Sequence, residues 1–331
     1  MTLPGDYCDI SVIIPTYNRD ILLKQALDSV LRQKSLDGIR LQVIVVDDCS
    51  TEPPRELLAG YGPVVEAVFL PEKVGQNPAR NVGISRARGT YLKFLDSDDI
   101  LVDGALAVEF AVAEEEQADM VLSGWGTVSM DHWGNHIAGT ERTFPAPDMN
   151  PIPDALLRGR AVPVAAALYR RSYLGDLVWD PQVPKLTDWD WFCQAALRGG
   201  KIVSIEGAAY WWRQHSGDRE TRRPRLSTAH NFYRILGKIE THLRAAGELS
   251  EPRARRLAQY YYKELRTLCL FDRPMFHEIL DKIHALDPRF SPRDEEHQSF
   301  MRLVARVIGT RNALLLHTAL KMALKPEGKR P

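Results

Sequence analysis

Among its 331 residues the chain carries only four cysteines, Cys8, Cys49, Cys193 and Cys269, and none of them forms a Cys-x-x-Cys pair. That scatter shows neither a redox motif nor a dense secreted disulfide framework, and it predicts a reducing cytoplasm as the compartment. Net charge is also missing, because 43 basic side chains balance 43 acidic ones. General nucleic-acid binding relies on a basic surface that releases phosphate counterions, so no nucleic-acid partner is expected. No apolar run approaches the roughly 20 residues that a membrane-spanning helix needs. The first nine residues hold Pro4, Gly5, Asp6 and Asp9 in place of a basic segment followed by an apolar one, so no signal peptide is expected. Glycine is scarce where phosphate loops need it. No Gly-x-Gly-x-x-Gly follows the first apolar run, which argues against a dehydrogenase, and Pro15-Thr16-Tyr17-Asn18-Arg19 contains no glycine, which argues against a nucleotidyltransferase.

What is present is an alternation of short apolar runs and amphipathic segments. Residues 10–14, 41–46, 64–70 and 91–95 read as buried strands. Residues 20–33 have helical spacing of Leu22, Leu23, Ala26, Leu27, Val30 and Leu31, residues 56–58 suit a short helix, and residues 78–88 read as a helix opened by Pro78 and closed by Gly89. Such alternation predicts an α/β fold with a mainly parallel sheet covered on both faces. The fourth strand delivers Asp96-Ser97-Asp98-Asp99, three carboxylates in four residues. Burying even one ionised carboxylate without a partner costs several kcal/mol, so the cluster predicts a divalent metal, strong backbone capping, or both. Oxygen donors favour Mg2+ or Mn2+ over zinc, and such ions bridge carboxylates to phosphates, which suggests a nucleoside diphosphate ligand. Asp99 is read as an N-cap for the segment opening at Ile100 and stays outside the metal set.

Ligands of parallel sheets sit beyond the carboxyl ends of the strands. Three strands here end in polar chemistry: Pro15-Thr16-Tyr17-Asn18-Arg19, Asp47-Asp48 and Asp96-Ser97-Asp98-Asp99. One edge therefore collects the candidate site. The four ordered segments Ser11–Arg19, Val45–Thr51, Gly75–Gly83 and Phe94–Asp99 resemble the motifs of family 2 glycosyltransferases. This resemblance runs to about Gly217 and implies the GT-A fold, with transfer of a sugar from a nucleoside diphosphate sugar, UDP-sugar favoured, to an acceptor hydroxyl. By the same resemblance, Pro15, Thr16, Tyr17, Asn18, Arg19, Asp48, Arg80, Asp96 and Ser97 are nucleotide-sugar contacts. Thr16 and Tyr17 match positions that meet the base, Asp48 the residue that bonds the uracil edge, and Arg80 an arginine near the nucleotide or its diphosphate. Asp96 and Asp98 match the Asp-x-Asp signature. Asp98 is the expected metal ligand and Asp96 its companion on the ribose or on metal-bound water.

Past residue 100 the chain should supply acceptor recognition and the base. Residues 121–130 alternate like strand material, residues 131–135 suit a turn, and the prolines between 145 and 153 mark a connecting loop or a border of the acceptor cleft. Lys185-Leu186-Thr187-Asp188-Trp189-Asp190-Trp191-Phe192 is similar to the family's Glu-Asp motif, with Thr187 standing in place of the first acid. Asp188 matches the second acid, the catalytic base of inverting members, with Asp190 as the fallback. Proton removal from an attacking hydroxyl needs such a base within hydrogen-bond reach. Trp189, Trp191, Trp211 and Trp212 offer flat rings for sugar faces or for a core, and at most two of them are expected to touch ligand. Residues 209–217 resemble the motif that closes the catalytic domain, in which His215 matches a residue near the metal or diphosphate and Arg213 adds positive charge.

The expected organisation is a GT-A catalytic domain over residues 1–217, its nucleotide-sugar half ending near 100, followed by a helical domain over 218–331. Residues 218–225 form a charged loop or linker, and one helix runs from Ser250-Glu251-Pro252 towards Leu270. Residues 298–331 hold seven basic residues and one acid with apolar side chains at roughly helical spacing. Such a helix suits peripheral contact with the inner face of a membrane and a lipid-linked saccharide acceptor; packing on its own domain, or in a homo-oligomer, is the alternative. Two further readings stay open, a nucleotide-sugar-binding scaffold without catalysis and a nucleotidyltransferase.

Overall fold

The computed structural model describes residues 8–33, 38–131, 135–214, 225–290, 309 and 312. They divide into two compact units, Met1–Arg219 and Glu220–Pro331. Strands β1 (Cys8–Thr16), β2 (Leu41–Asp47), β3 (Val65–Phe69) and β4 (Gly89–Phe94) alternate with helices α1 (Asp20–Leu31), α2 (Arg55–Ala59) and α3 (Gln76–Arg86). The order β3-β2-β1-β4 is parallel throughout, with Ile14 beside Val45 and Ile13 beside Phe94. Covered on both faces, β1, β2 and β4 need nearly continuous apolar runs, and every residue of β1 is buried, while the edge strand β3 is only partly buried. The α1 stripe Leu23, Ala26, Leu27 and Val30 is buried as its spacing predicts.

Beyond β4 the sheet becomes mixed. The strands β5 (Ile100–Leu101), β6 (Met120–Ser129), β7 (Arg142–Phe144), β8 (Ala167–Arg170) and β9 (Ile202–Gln214) are interspersed with helices α4 (Ala105–Glu115), α5 (Ile152–Leu157), α6 (Arg171–Leu174) and α7 (Thr187–Ala196). β8 runs antiparallel to both β4 and β6, while β6 and β9 are parallel, and β7 pairs β6 at the side. The expected turn over 131–135 lies partly outside the described residues, although the Asp131 N–H donates to the Asn135 carbonyl at 3.0 Å.

Two glycines act differently from their sequence reading or sharpen it. Gly89 does not close α3; it is the first residue of β4, and a Cβ there would lie 2.4 Å from the Ser11 backbone nitrogen on β1. Gly75, with φ +94, makes the turn into α3 that a residue with a side chain rarely adopts. Inside the apolar run of β4, Lys93 is wholly buried and bonds both oxygens of Glu109 on α4, at 2.7 and 2.6 Å, while the Ser123 hydroxyl donates to Glu109 at 2.7 Å.

The second unit is helical: α8 (Arg225–Ala245), α9 (Glu251–Tyr262), α10 (Leu265–Phe271) and α11 (Arg273–Leu286). The single helix expected from Ser250 towards Leu270 is two, broken between Tyr262 and Leu265 where no glycine or proline stands. The charged segment 218–224 and the basic helix expected over 298–331 lie outside the described residues, apart from single backbone positions. Among the described residues, no helix is long and apolar enough to cross a membrane.

Candidate active site

The loops after β1, β2 and β4 meet at the carboxyl edge of the parallel strands. Asn18, at φ +49, donates its N–H to the Ser50 hydroxyl at 2.8 Å and accepts the Thr51 N–H at 2.8 Å, tying the first two loops together. Asn tolerates this left-handed conformation better than most residues. Pro15 and Thr16 are buried behind this junction, and Tyr17 is half-buried with the Lys73 ammonium 3.5 Å above its ring. Asp48 is buried, and its two oxygens accept the Val74 and Gly75 N–H groups at 2.7 and 2.9 Å. It therefore holds the turn that opens α3.

α3 then grips the segment leading into α7. Asn77 and Asn81, four residues apart, lie on one helix face. The Asn77 amide donates to the Asp180 and Val183 carbonyls at 2.8 and 3.0 Å, and Asn81 exchanges hydrogen bonds with both backbone groups of Trp179 at 2.8 and 2.9 Å. Gln76 and Arg80, likewise four apart, both reach Thr187. Thus one helix, α3, joins the Asp48 turn to the segment 179–187 that leads into α7.

The acidic turn is closed by the Asp99 N–H donating to the Asp96 carbonyl at 3.0 Å. One carboxylate oxygen from each of Asp96, Asp98 and Asp99 lies within 4.8 Å of the others. Each acid is answered separately. Arg80 Nη2 sits 2.5 Å from Asp96 Oδ1, and Arg19 Nη1 sits 2.6 Å from Asp98 Oδ2. Asp99 Oδ1 accepts the Arg213 N–H at 2.9 Å. Asp99 is thus no helix cap: Ile100–Leu101 is a strand, and the buried carboxyl anchors β9 to the acidic turn. Burial, with Asp98 and Asp96 alongside, raises its pKa well above the usual carboxylate range. Burial also raises that of Asp96, with Asp188 and Asp98 adding to it against the pull of Arg80. Arg213, fully buried, donates to the Asp98 carbonyl at 2.5 Å and to the Gln25 side chain, so its charge is spent on holding the turn. Ser97 is buried beneath it.

Asp188 stands across from Asp96, with Arg80 between them. Its Oδ2 accepts the Val164 N–H at 3.1 Å, its Oδ1 lies 3.9 Å from Arg80 Nη2, and a third of its side chain (33%) stays accessible. Asp190, the fallback base, is buried, and its side chain accepts from Gln194 one turn further along α7 at 2.9 Å. Trp191 is core: it stacks on Trp179 at 4.5 Å and 7°. Trp179 also receives the Arg80 guanidinium 4.1 Å above its ring. Trp211 lies over Gly126, where a Cβ would come within 2.3 Å of its ring, while Trp189 is half-buried and Trp212 is 40% exposed. His215 lies outside the described residues. Sequence reading assigned no role to Gln76, Asn77, Asn81, Val164 or Trp179. The first three stood inside a quoted motif; Val164 acts through its backbone and Trp179 through a partner 99 positions away, Arg80.

The donor set fits a hard divalent cation. All three grouped side chains offer carboxylate oxygen, and the two partly accessible ones, Asp96 and Asp98, each meet an arginine at a carboxylate oxygen.

A parallel half-sheet with acids gathered at its carboxyl edge, continued by a mixed half, is the GT-A architecture. Residues 11–177 match the model of glycosyl transferase family 2, and the chain belongs to that family. Succinoglycan biosynthesis protein ExoO of Rhizobium meliloti is 32% identical over 124 residues, 37% of this chain and 35% of that protein. The GalNAc(5)-diNAcBac-PP-undecaprenol beta-1,3-glucosyltransferase of Campylobacter jejuni is 35% identical over 113 residues, 33% of this chain and 36% of its own length. Matches of this kind span less than half of the curated relatives. Among solved structures, residues 1–349 of Staphylococcus aureus TarS in complex with UDP-GlcNAc superpose with TM-score 0.69 at 20% identity, over 95% of this chain and 92% of that one. This likeness shows the fold.

Proposed function

We propose that the protein is an inverting, metal-dependent glycosyltransferase. It moves a sugar from a nucleoside diphosphate sugar, UDP-sugar favoured, to an acceptor hydroxyl in the assembly of a cell-surface polysaccharide, lipopolysaccharide or other glycoconjugate. The observation that carries this reading is Arg80. One buried guanidinium lies against both the acid of the Asp-x-Asp turn and the acid at the start of α7.

In this reading residues 1–217 form the catalytic domain. Thr16, Tyr17 and the Asp48 turn receive the base, and Asp96 and Ser97 lie on the ribose side. Asp98, with His215, would hold Mn2+ or Mg2+. A divalent cation there supplies positive charge against the diphosphate as it departs. Asp188 takes the proton of the acceptor hydroxyl as that oxygen attacks the anomeric carbon. Val164 and Arg80 keep the carboxylate in place. Direct displacement inverts the anomeric configuration. The undecaprenol-linked acceptor named for the Campylobacter relative supports a lipid-linked saccharide acceptor. The basic residues and apolar spacing of 298–331 support a cytoplasmic protein in peripheral contact with the inner face of the membrane.

Purified wild type should bind UDP more tightly with Mn2+ than with chelator present. Asp188→Asn should keep that binding but lose on the order of a hundredfold or more in transfer, while Asp98→Ala should lose the metal-dependent part of binding. Calorimetry with UDP and product analysis across a panel of UDP-sugars measure both. Full transfer by Asp188→Asn would remove that residue from the mechanism.

A further inference from the structure

Thr187 occupies the place of the first acid in the motif that precedes the base, so the chain lacks a charged neighbour there. It is buried and begins α7, immediately after Leu186 at φ +60. A bulky residue in the left-handed region is strained, and such strain turns the chain sharply just where Thr187 and Asp188 follow. The Thr187 hydroxyl does not cap its own helix. It faces α3 and Asp188 instead.

A hydroxyl has one proton to give and two lone pairs to accept with. All three are in use. Thr187 Oγ1 donates to Asp188 Oδ1 at 3.3 Å and accepts from Gln76 Nε2 at 3.4 Å and Arg80 Nη1 at 3.5 Å. Asp188 Oδ2 is held separately by the Val164 N–H. Both oxygens of the base are therefore oriented, one from the acceptor side and one from α3. A carboxylate at position 187 would set a second negative charge beside Asp188 and draw on the Arg80 charge. The neutral hydroxyl leaves Arg80 to Asp96 and Asp188.

We propose that Thr187 is a positioning residue for the reaction: its hydroxyl links Gln76 and Arg80 to Asp188 and holds that carboxylate at the angle for proton removal. This rests on the reading of Asp188 as base. The link is neutral, directional and specific to a small hydroxyl side chain. It also joins the helix that opens beside the Asp48 turn to the helix that carries the base.

The test compares Thr187→Val, Thr187→Ser and Asp188→Asn in the full chain, with a donor and acceptor that the wild type turns over. Thr187→Val keeps the shape and loses all three bonds. Its kcat should fall on the order of tenfold to a hundredfold, as expected for a misplaced reacting group. KM for the donor and the affinity for UDP should stay within about twofold, because Arg80 keeps its contacts with Asp96 and Trp179. Thr187→Ser should recover most of the lost kcat. A valine variant as active as wild type overturns the proposal, as does a serine variant as impaired as valine. Gln76→Leu keeps the question open to measurement if Thr187→Val does not fold. By itself it should lower kcat several-fold with the donor KM unchanged, and a Gln76→Leu enzyme at wild-type kcat counts against the link; where Thr187→Val folds, the double variant should lose no more kcat than Thr187→Val alone. Transfer by Asp188→Asn instead removes the base reading itself, an outcome separate from an Asp188→Asn enzyme that is dead beside a Thr187→Val enzyme at full activity.

Discussion

A guanidinium with no solvent exposure must have its charge answered by neighbours, and Arg80 finds Asp96, Asp188 and the face of Trp179. Burial works against its charge, but Asp96, Asp188 and Asp98 outweigh it, and its pKa is raised above the ordinary arginine value. Removing the side chain leaves Asp96 and Asp188 without their shared cation. Arg80→Ala is accordingly expected to destabilise the fold by about 3–5 kcal/mol, as for other broken buried pairs. Lysine keeps the charge but not the planar fork or the stack on Trp179. Arg80→Lys should therefore fold, with a Tm loss well below that of alanine, yet lose most transfer activity. Thermal unfolding and initial rates on the two variants separate these roles; an Arg80→Lys enzyme with wild-type kcat would show that charge alone suffices.

At the scale of elements, β4 poses the same problem inside the sheet. Lys93 and Glu109 are both fully buried, and burial lowers the Lys93 pKa against the pull of Glu109. Lys93→Met alone strands the Glu109 charge and should cost about 3–5 kcal/mol, whereas Lys93→Met with Glu109→Leu should recover most of it, since apolar replacements of buried pairs are often neutral. Chemical denaturation of the two variants measures the difference. This pair also marks where sequence reading stops. β1, β2 and β4 were legible because a strand buried on both faces must be an unbroken apolar run, and Lys93 was invisible in that run because its partner lies on α4, 16 positions on. The carboxyl-edge loops were legible from residue type. The grip of α3 on residues 179–188 was not, because it joins amide side chains to backbone carbonyls a hundred positions away. Asp99 looked like a cap because Asp before an apolar pair usually is one; its β9 partner became apparent only through the sheet. The mixed order β4-β8-β6-β9 was likewise hidden, since strands as short as Ala167–Arg170 have no period to read.

Over the whole molecule, opposite charges balance, and within the helical unit one carboxylate gathers partners from several helices. Glu240 on α8 accepts from Arg244 at 2.8 Å, from the Tyr261 hydroxyl of α9 at 2.9 Å, and pairs with Lys282 of α11 at 3.1 Å. Tyr233 stacks on Tyr261 at 6.1 Å beside it, so one carboxylate ties three helices. Burial pushes the Glu240 pKa up, but the bonds from Arg244, Tyr261 and Lys282 prevail and hold it below the ordinary value of 4.5. A folded pKa below the unfolded one means that the unfolded chain binds the proton more readily. The stabilisation is therefore present above about pH 4.5 and is lost as pH falls through the folded value. Glu240→Gln keeps the shape and removes the charge, and should cost about 1–3 kcal/mol at neutral pH. The Tm gap between the full-length wild type and Glu240→Gln should stay level from pH 7 to pH 5 and narrow below about pH 4.5, where protonation makes the two side chains alike. A gap that held constant down to pH 3 would mean that the carboxylate's charge does not join these helices.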